Sequence, residues 1–187
     1  MIQSGKSKQT MNKAIFLDRD GVLIKTNVIG GKPFAIRSIL EFELTNDVLN
    51  QLNKLKKLNF LLIVVTNQPD IKKKLISIKV LNLINNKLIK LLPVDSIKVC
   101  MELENEKSGN YKPEPGMLLE AAKEFNIDLK KSYMIGDRWR DIGAGHNAGC
   151  KTILIDYHYS EELIYKPDYK VLSLNKAVEI ITKNLNF

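Results

Sequence analysis

No apolar run in this chain approaches the ~20 residues that a helix needs to cross a bilayer. The longest, residues 60–65 (FLLIVV), has the length of a buried strand. The opening MIQSGKSKQTMNK is polar and lacks the apolar stretch of a signal peptide. A flexible lead over residues 1–12 and a single domain over 13–187 are therefore expected, with no membrane partner and the cytoplasm as the default location. Cysteine is scarce, with only Cys100 and Cys150. Neither sits in a CxxC or a Cys/His cluster, so zinc is not expected and two buried thiols are. Internal repeats and low-complexity segments are also lacking.

What is present suits one globular unit. Of 187 residues, 44% are hydrophobic, enough for a core and too many for a disordered chain. Lysine and arginine exceed the acids by 29 to 21, a net charge of +8. Such a balance can mark nucleic-acid binding or an electropositive mouth that draws in small phosphorylated substrates. Many of the lysines, Lys54, Lys56, Lys57, Lys72 to Lys74, Lys87 and Lys90, fall in helical stretches and read as solvated faces. No RNA- or DNA-binding signature accompanies them, so nucleic acid is not an expected partner.

Strand-like and helix-like patterns alternate. Residues 14–17 (AIFL) form a short apolar run that ends at Asp18. Apolar positions 48, 49, 52, 55 and 58 trace a helical stripe, with Thr45 or Asn46 as its N-cap. FLLIVV follows and ends at Thr66, then a helix is expected over 73–92, stopped by Pro93. Further strands are expected at 96–101, 132–135, 152–155 and 169–172, with helices at 115–125, 142–148 and 174–185. Pro115 suits a first helical turn and Gly149 a helix stop. This alternation predicts an α/β fold, a parallel sheet covered by helices on both faces, with ligands bound beyond the strand C-termini. Only short insertions, 25–42 and 102–111, are available to cover a site there, so no large cap domain is expected.

Polar residues follow three of these apolar runs. Asp18 and Asp20 stand two apart in FLDRDGVL, a place where aspartate is disfavoured and Gly21 permits a sharp turn. Read alone, DxDG is also an ordinary turn; a calcium loop fails for want of its further ligands and closing Glu. Thr66 can donate its hydroxyl to a phosphate oxygen or simply form a turn. Lys112, before Pro113, is either a fixed cation or a surface lysine. Asp137 ends the 132–135 run, and Asp141, four residues on, either faces the same site or caps a helix. The set is more specific than its members. It combines a nucleophile, an acid, a hydroxyl donor, a cation and a metal carboxylate at one sheet edge.

In this order the four clusters LDRDGV, TNQ, KPEPGM and GDRWRD resemble the motifs of the haloacid dehalogenase (HAD) superfamily of phosphohydrolases, over about residues 14–156. LDRDG, TNQ and KPxPGM are similar to the branch that holds the heptose-bisphosphate phosphatases and the histidinol-phosphatase domain, and residues 33–44 with TNQPDI favour the heptose side. The resemblance implies a Rossmann-like HAD fold and a Mg²⁺-dependent phosphomonoester hydrolase acting on a small phosphorylated substrate, a sugar phosphate above all. It implies that Asp18 attacks phosphorus and becomes an aspartyl phosphate. Asp20 would be the acid and then the base. Mg²⁺ would bind Asp18, Asp20 through its backbone carbonyl, and Asp137. Thr66, Asn67 and Lys112 would hold phosphoryl oxygens, and Asp141 would orient Lys112 or the metal's waters. Gln68, Tyr111 and Arg138 fall on the substrate side. Three features depart from the branch: 101–111 (MELENEKSGNY) has no Cys or His for a zinc loop, Tyr111 replaces an arginine, and lysines occupy 72–74. All three concern substrate contacts. The alternatives are histidinol-phosphate or nucleic-acid 3′-phosphate hydrolysis and, from another class, a HAD-like binding domain without turnover.

Overall fold

The computed structural model describes residues 10–185. In chain order they form β1 (Lys13–Leu17), β2 (Asn27–Ile29), β3 (Lys32–Phe34), α1 (Val48–Lys57), β4 (Phe60–Asn67), α2 (Ile78–Leu91), β5 (Ser96–Cys100), α3 (Gly116–Glu124), β6 (Tyr133–Gly136), α4 (Trp139–Ala148), β7 (Lys151–Ile155), β8 (Tyr169–Val171) and α5 (Leu174–Leu185). Six strands make one parallel sheet in the order β5-β4-β1-β6-β7-β8. β1 lies inside, with Leu17 level with Val64 on one side and Ile135 on the other.

The central strands β1 and β4 are apolar along most of their length because both faces are covered. Ile15, Leu17, Leu62 and Val64 pack into a cluster with Leu52 and Leu55 of α1, Ile84 and Leu88 of α2, and Val178 and Ile181 of α5. Their alternating neighbours Ala14, Phe16, Ile63 and Val65 meet Met117, Leu118 and Ala121 of α3 and Ala144 and Ala148 of α4. The period of two along a strand thus sorts the two layers of helices. From β1 the chain builds outward through β4 and β5, then returns across it to β6, β7 and β8. The strand order therefore reverses beside β1, the place where α/β sheets bind ligands. Both cysteines are buried free thiols.

Three local expectations change. The helix expected from residue 73 starts at Ile78. Lys74 is left-handed (φ 60°) and the Asp70 carbonyl accepts the amides of Leu75 and Ile76, so the chain turns first and Ser77 caps the helix. The N-cap of α1 is Asp47, in left-handed geometry, rather than Thr45 or Asn46. Thr45 is spent elsewhere, its hydroxyl donating to the Val22 carbonyl at 2.7 Å. Within the first insertion, β2 and β3 pair as an antiparallel hairpin that was not expected, turning at Gly30 and Gly31. Of the expected lead 1–12, residues 1–9 lie outside the described residues. Asn12 is tied to residues 125–128, its amide donating to Asn126 and its carbonyl accepting from Asp128, both at 2.8 Å.

Candidate active site

Polar side chains converge where three adjacent inner strands, β4, β1 and β6, end. β1 delivers Asp18, whose amide bonds the Ile135 carbonyl at 3.0 Å and so carries the ladder one step past the strand. β4 ends on Thr66 and Asn67, and Asp137 follows Gly136 of β6. Lys112 comes from the loop before α3, and Asp141 from the first turn of α4. These residues, with Asp20, Gln68, Tyr111 and Arg138, line one cavity of about 550 Å³, so the structure brings together every site residue singled out in the sequence.

Lys112 is the hub. Its Nζ donates to Asp18 Oδ1 at 2.8 Å, Asp141 Oδ1 at 2.6 Å and the Val65 carbonyl at 2.8 Å. An ammonium has three hydrogens, and all are used. Burial works against its charge, but Asp141 and Asp18 outweigh that and hold its pKa above the ordinary lysine value. The sequence reading gives Asn67 a phosphoryl oxygen. The structure instead closes its carboxamide on the backbone of Lys112, Nδ2 to the carbonyl and Oδ1 from the amide, both at 3.1 Å. Asp141 faces the site and braces the start of α4 from its first turn, Arg138 being the N-cap: Oδ2 accepts the Arg138 amide at 3.1 Å while Oδ1 takes Lys112.

Two glycines let the carboxylates crowd the backbone. A Cβ on Gly21, itself at φ 88°, would lie 1.9 Å from Asp137 Oδ2; a Cβ on Gly136 would lie 2.1 Å from Asp141 Cβ. Carboxylate oxygens of Asp18, Asp137 and Asp141 fall within 4.8 Å of one another, all three residues buried. Against these three stands one buried ammonium, a deficit of two positive charges. Burial, eased by Lys112 and aggravated by Asp141 and Asp20, pushes Asp18 from 3.8 up to about 7. Burial, then Asp18 and Asp141, hold Asp137 well above the usual carboxylate range. One Asp137 oxygen, Oδ1, is buried without a partner, and Oδ2 accepts the Tyr159 hydroxyl at 3.0 Å. An all-oxygen donor set short of two charges, with an orphaned carboxylate oxygen, fits a hard divalent cation. Asp20 adds no side-chain oxygen to this group. Its Oδ2 accepts Arg19 Nε and Nη2 at 3.0 and 2.8 Å and Gln68 Nε2 at 2.8 Å.

Sequence reasoning missed Arg19, Tyr157 and Tyr159. Arg19 is fully buried, and between Asp18 and Asp20 it reads in sequence as one more polar residue of a turn. Tyr157 donates its hydroxyl to the Gly21 carbonyl at 3.0 Å, and the Ser160 amide donates to the Gly31 carbonyl at 2.8 Å. The loop 156–168 thereby holds the turn after β1, the β2–β3 hairpin and Asp137 together. Around the cavity mouth Arg138 forks onto Glu161, Arg140 pairs with Glu104, and Arg37 bonds Asp70 at 2.8 Å.

Comparison with known proteins agrees with this arrangement. The HAD-hydrolase-like family profile matches residues 110–177. In fold the chain is similar to the D,D-heptose 1,7-bisphosphate phosphatase of B. bronchiseptica, crystallised with magnesium and phosphate (TM-score 0.79, 24% identity, 92% of this chain and 99% of that one). It is also similar in fold to a putative HAD-like phosphatase of Mesorhizobium loti (TM-score 0.75, 23% identity, 92% and 87%). Fold and motif order thus define a HAD-type hydrolase without a large cap. In sequence the chain is 34% identical to a D-glycero-beta-D-manno-heptose-1,7-bisphosphate 7-phosphatase of Helicobacter pylori over 78% of its length and 84% of the relative's. It is 36% identical to the Pasteurella multocida protein of that name, over 78% and 82%. The chain belongs to the D-glycero-D-manno-heptose-1,7-bisphosphate 7-phosphatase family of HAD phosphatases.

Proposed function

We propose that this protein removes the 7-phosphate of D-glycero-D-manno-heptose 1,7-bisphosphate, or of a closely related phosphosugar, through an aspartyl-phosphate on Asp18. The observation that carries this reading is the placement of the Asp18 carboxylate at the end of an inner strand, 2.8 Å from a buried ammonium and beside Asp137. The substrate part rests on the named relatives.

Asp18 would attack phosphorus with the carboxylate oxygen not held by Lys112, breaking the bond to the sugar oxygen. Asp20 would give that oxygen a proton, then take one from the water that releases phosphate. Lys112 would hold the nucleophile in its ionised form and face the charge that spreads over the phosphoryl oxygens, with Thr66 as a hydroxyl donor. Asp18, Asp137 and the Asp20 main-chain carbonyl would hold Mg²⁺. The ion, when bound, offsets the repulsion between an anionic nucleophile and an anionic phosphoryl group. Arg138 and Tyr111 at the cavity wall would meet the rest of the substrate. Segment 101–111 offers neither thiolate nor imidazole to a zinc ion.

The test is phosphate release with Mg²⁺ from heptose 1,7-bisphosphate beside histidinol phosphate and a 3′-phosphorylated oligonucleotide. Preferred loss of the 7-phosphate supports the reading. Preference for either other substrate overturns its substrate part, and no release from any of the three favours a binding domain without turnover.

A further inference from the structure

We infer that Arg19 and Gln68 are positioning residues that decide which oxygen of Asp20 carries the catalytic proton and which way the Thr66 hydroxyl points. The inference rests on the acid role proposed for Asp20. Arg19 has no solvent exposure, an expensive state for a cation unless its hydrogen bonds are made. Its guanidinium does not take the two oxygens of a carboxylate side by side, the usual fork geometry. Nε and Nη2 both go to Asp20 Oδ2, at 3.0 and 2.8 Å, and Nη1 goes to Asn85 Oδ1 of α2 at 3.0 Å. Gln68, 1% exposed, adds a third donor to the same oxygen at 2.8 Å. Asp20 Oδ1 is buried and has no partner.

Guanidinium and carboxamide nitrogens donate and cannot accept. An oxygen that receives three of their hydrogens has no place for a proton of its own, so the proton of a neutral Asp20 must sit on Oδ1. In the first step Asp18 bonds to phosphorus, the phosphorus–sugar oxygen bond breaks, and that oxygen takes the Oδ1 proton. In the second, water bonds to phosphorus, the bond to Asp18 breaks, and Oδ1 recovers a proton from the water. The other hydrogen of Gln68 Nε2 goes to Thr66 Oγ1 at 2.9 Å. A hydroxyl that accepts there keeps its own hydrogen for a phosphoryl oxygen. Gln68 was expected to touch substrate; both hydrogens of its amide are instead committed to Asp20 and Thr66.

The measurement is kcat/KM of Arg19→Lys on two esters: a sugar phosphate the wild type hydrolyses, whose leaving oxygen needs a proton, and p-nitrophenyl phosphate, whose leaving group does not. This parameter ends at the first phosphoryl transfer, so the later water step does not enter. The expected result is a loss about tenfold greater on the sugar phosphate, a part of the roughly hundredfold or more that general-acid catalysis contributes. Equal losses on both esters would make Arg19 a merely structural residue and overturn the inference. Should Arg19→Lys not fold, Asn85→Ala, which removes only the outer tether of the guanidinium, is read the same way; an unchanged ratio there overturns it. Asp20→Asn is the control. If it loses both esters equally, the acid role of Asp20 fails and the proposed mechanism falls with it. If it separates them while Arg19→Lys does not, only the positioning role fails.

Discussion

The floor and the rim of the cavity are built on different physical terms. On the floor, Asp18, Lys112, Asp137 and Asp141 are at most 8% exposed, and the ammonium at their centre makes every hydrogen bond it can. On the rim, ion pairs stand partly in solvent. Glu104, the partner of Arg140, is 65% exposed, and Lys72 and Glu106 meet at the surface of segment 102–111. Buried charge pairs are costly to break because the surviving partner is stranded. Exposed pairs are screened and contribute little. The floor therefore fixes a reaction, whereas the rim can change from one relative to the next without endangering the fold. The departures from the family branch, at 72–74, 101–111 and Tyr111, all lie on or beside the rim.

Substitution of the nucleophile should separate the two regions most. Asp18→Asn is expected to lower kcat by more than about a thousandfold, as removal of a covalent nucleophile does elsewhere, and to leave no acid-stable label on the protein after exposure to labelled substrate. Turnover near wild type would remove the covalent mechanism.

An intermediate effect concerns the charge deficit of the floor. The folded chain holds a proton on Asp18 up to about 7, whereas the unfolded chain releases it near the ordinary carboxylate value of 3.8. Between those values the folded state binds more protons than the unfolded one, so stability falls as pH rises through this window and the loss is complete above it. Asp137 is shifted the same way and adds to it. In EDTA, Tm should therefore drop from about pH 4 to about pH 8, and Mg²⁺ should raise Tm more at the upper end than at the lower. A Mg²⁺ effect equal at both ends would show that the ion does not bind these carboxylates.

The smallest effect is expected on the rim. Arg140→Ala should raise KM for heptose bisphosphate by about fivefold at most, because its partner Glu104 is exposed and the pair is partly screened, with kcat unchanged. A fall in kcat comparable to that of Asp18→Asn would erase the distinction between floor and rim.

The same division governs what was legible in the sequence. Asp18, Thr66 and Asp137 could be read because each directly follows an apolar run, and a polar residue at the end of a buried strand has few other reasons to be there. Arg19 could not, since its zero exposure contradicts the habit of long charged side chains to stay in water. Asn67 and Gln68 line the expected cavity, but their bonds to the Lys112 backbone, Asp20 and Thr66 were not foreseen. Motif spacing reports that a carboxamide is near the site, while the atoms it meets depend on how β4 lies against the Lys112 loop. The β2–β3 hairpin escaped because its strands are three residues each and one contains Pro33, a residue that demotes a strand in any pattern. The Gly30–Gly31 pair was its only audible signal.

One property of β1 bears on how activity is lost. The strand is hydrogen bonded on both sides and residues 14–17 are wholly inaccessible, so it belongs to the part of a domain that opens last. The nucleophile is its next residue and shares that protection through the bond to Ile135. The β2–β3 hairpin lies outside that sheet and is largely exposed. The attacking carboxylate is held by the sheet itself: its geometry survives as long as the domain does and disappears with it.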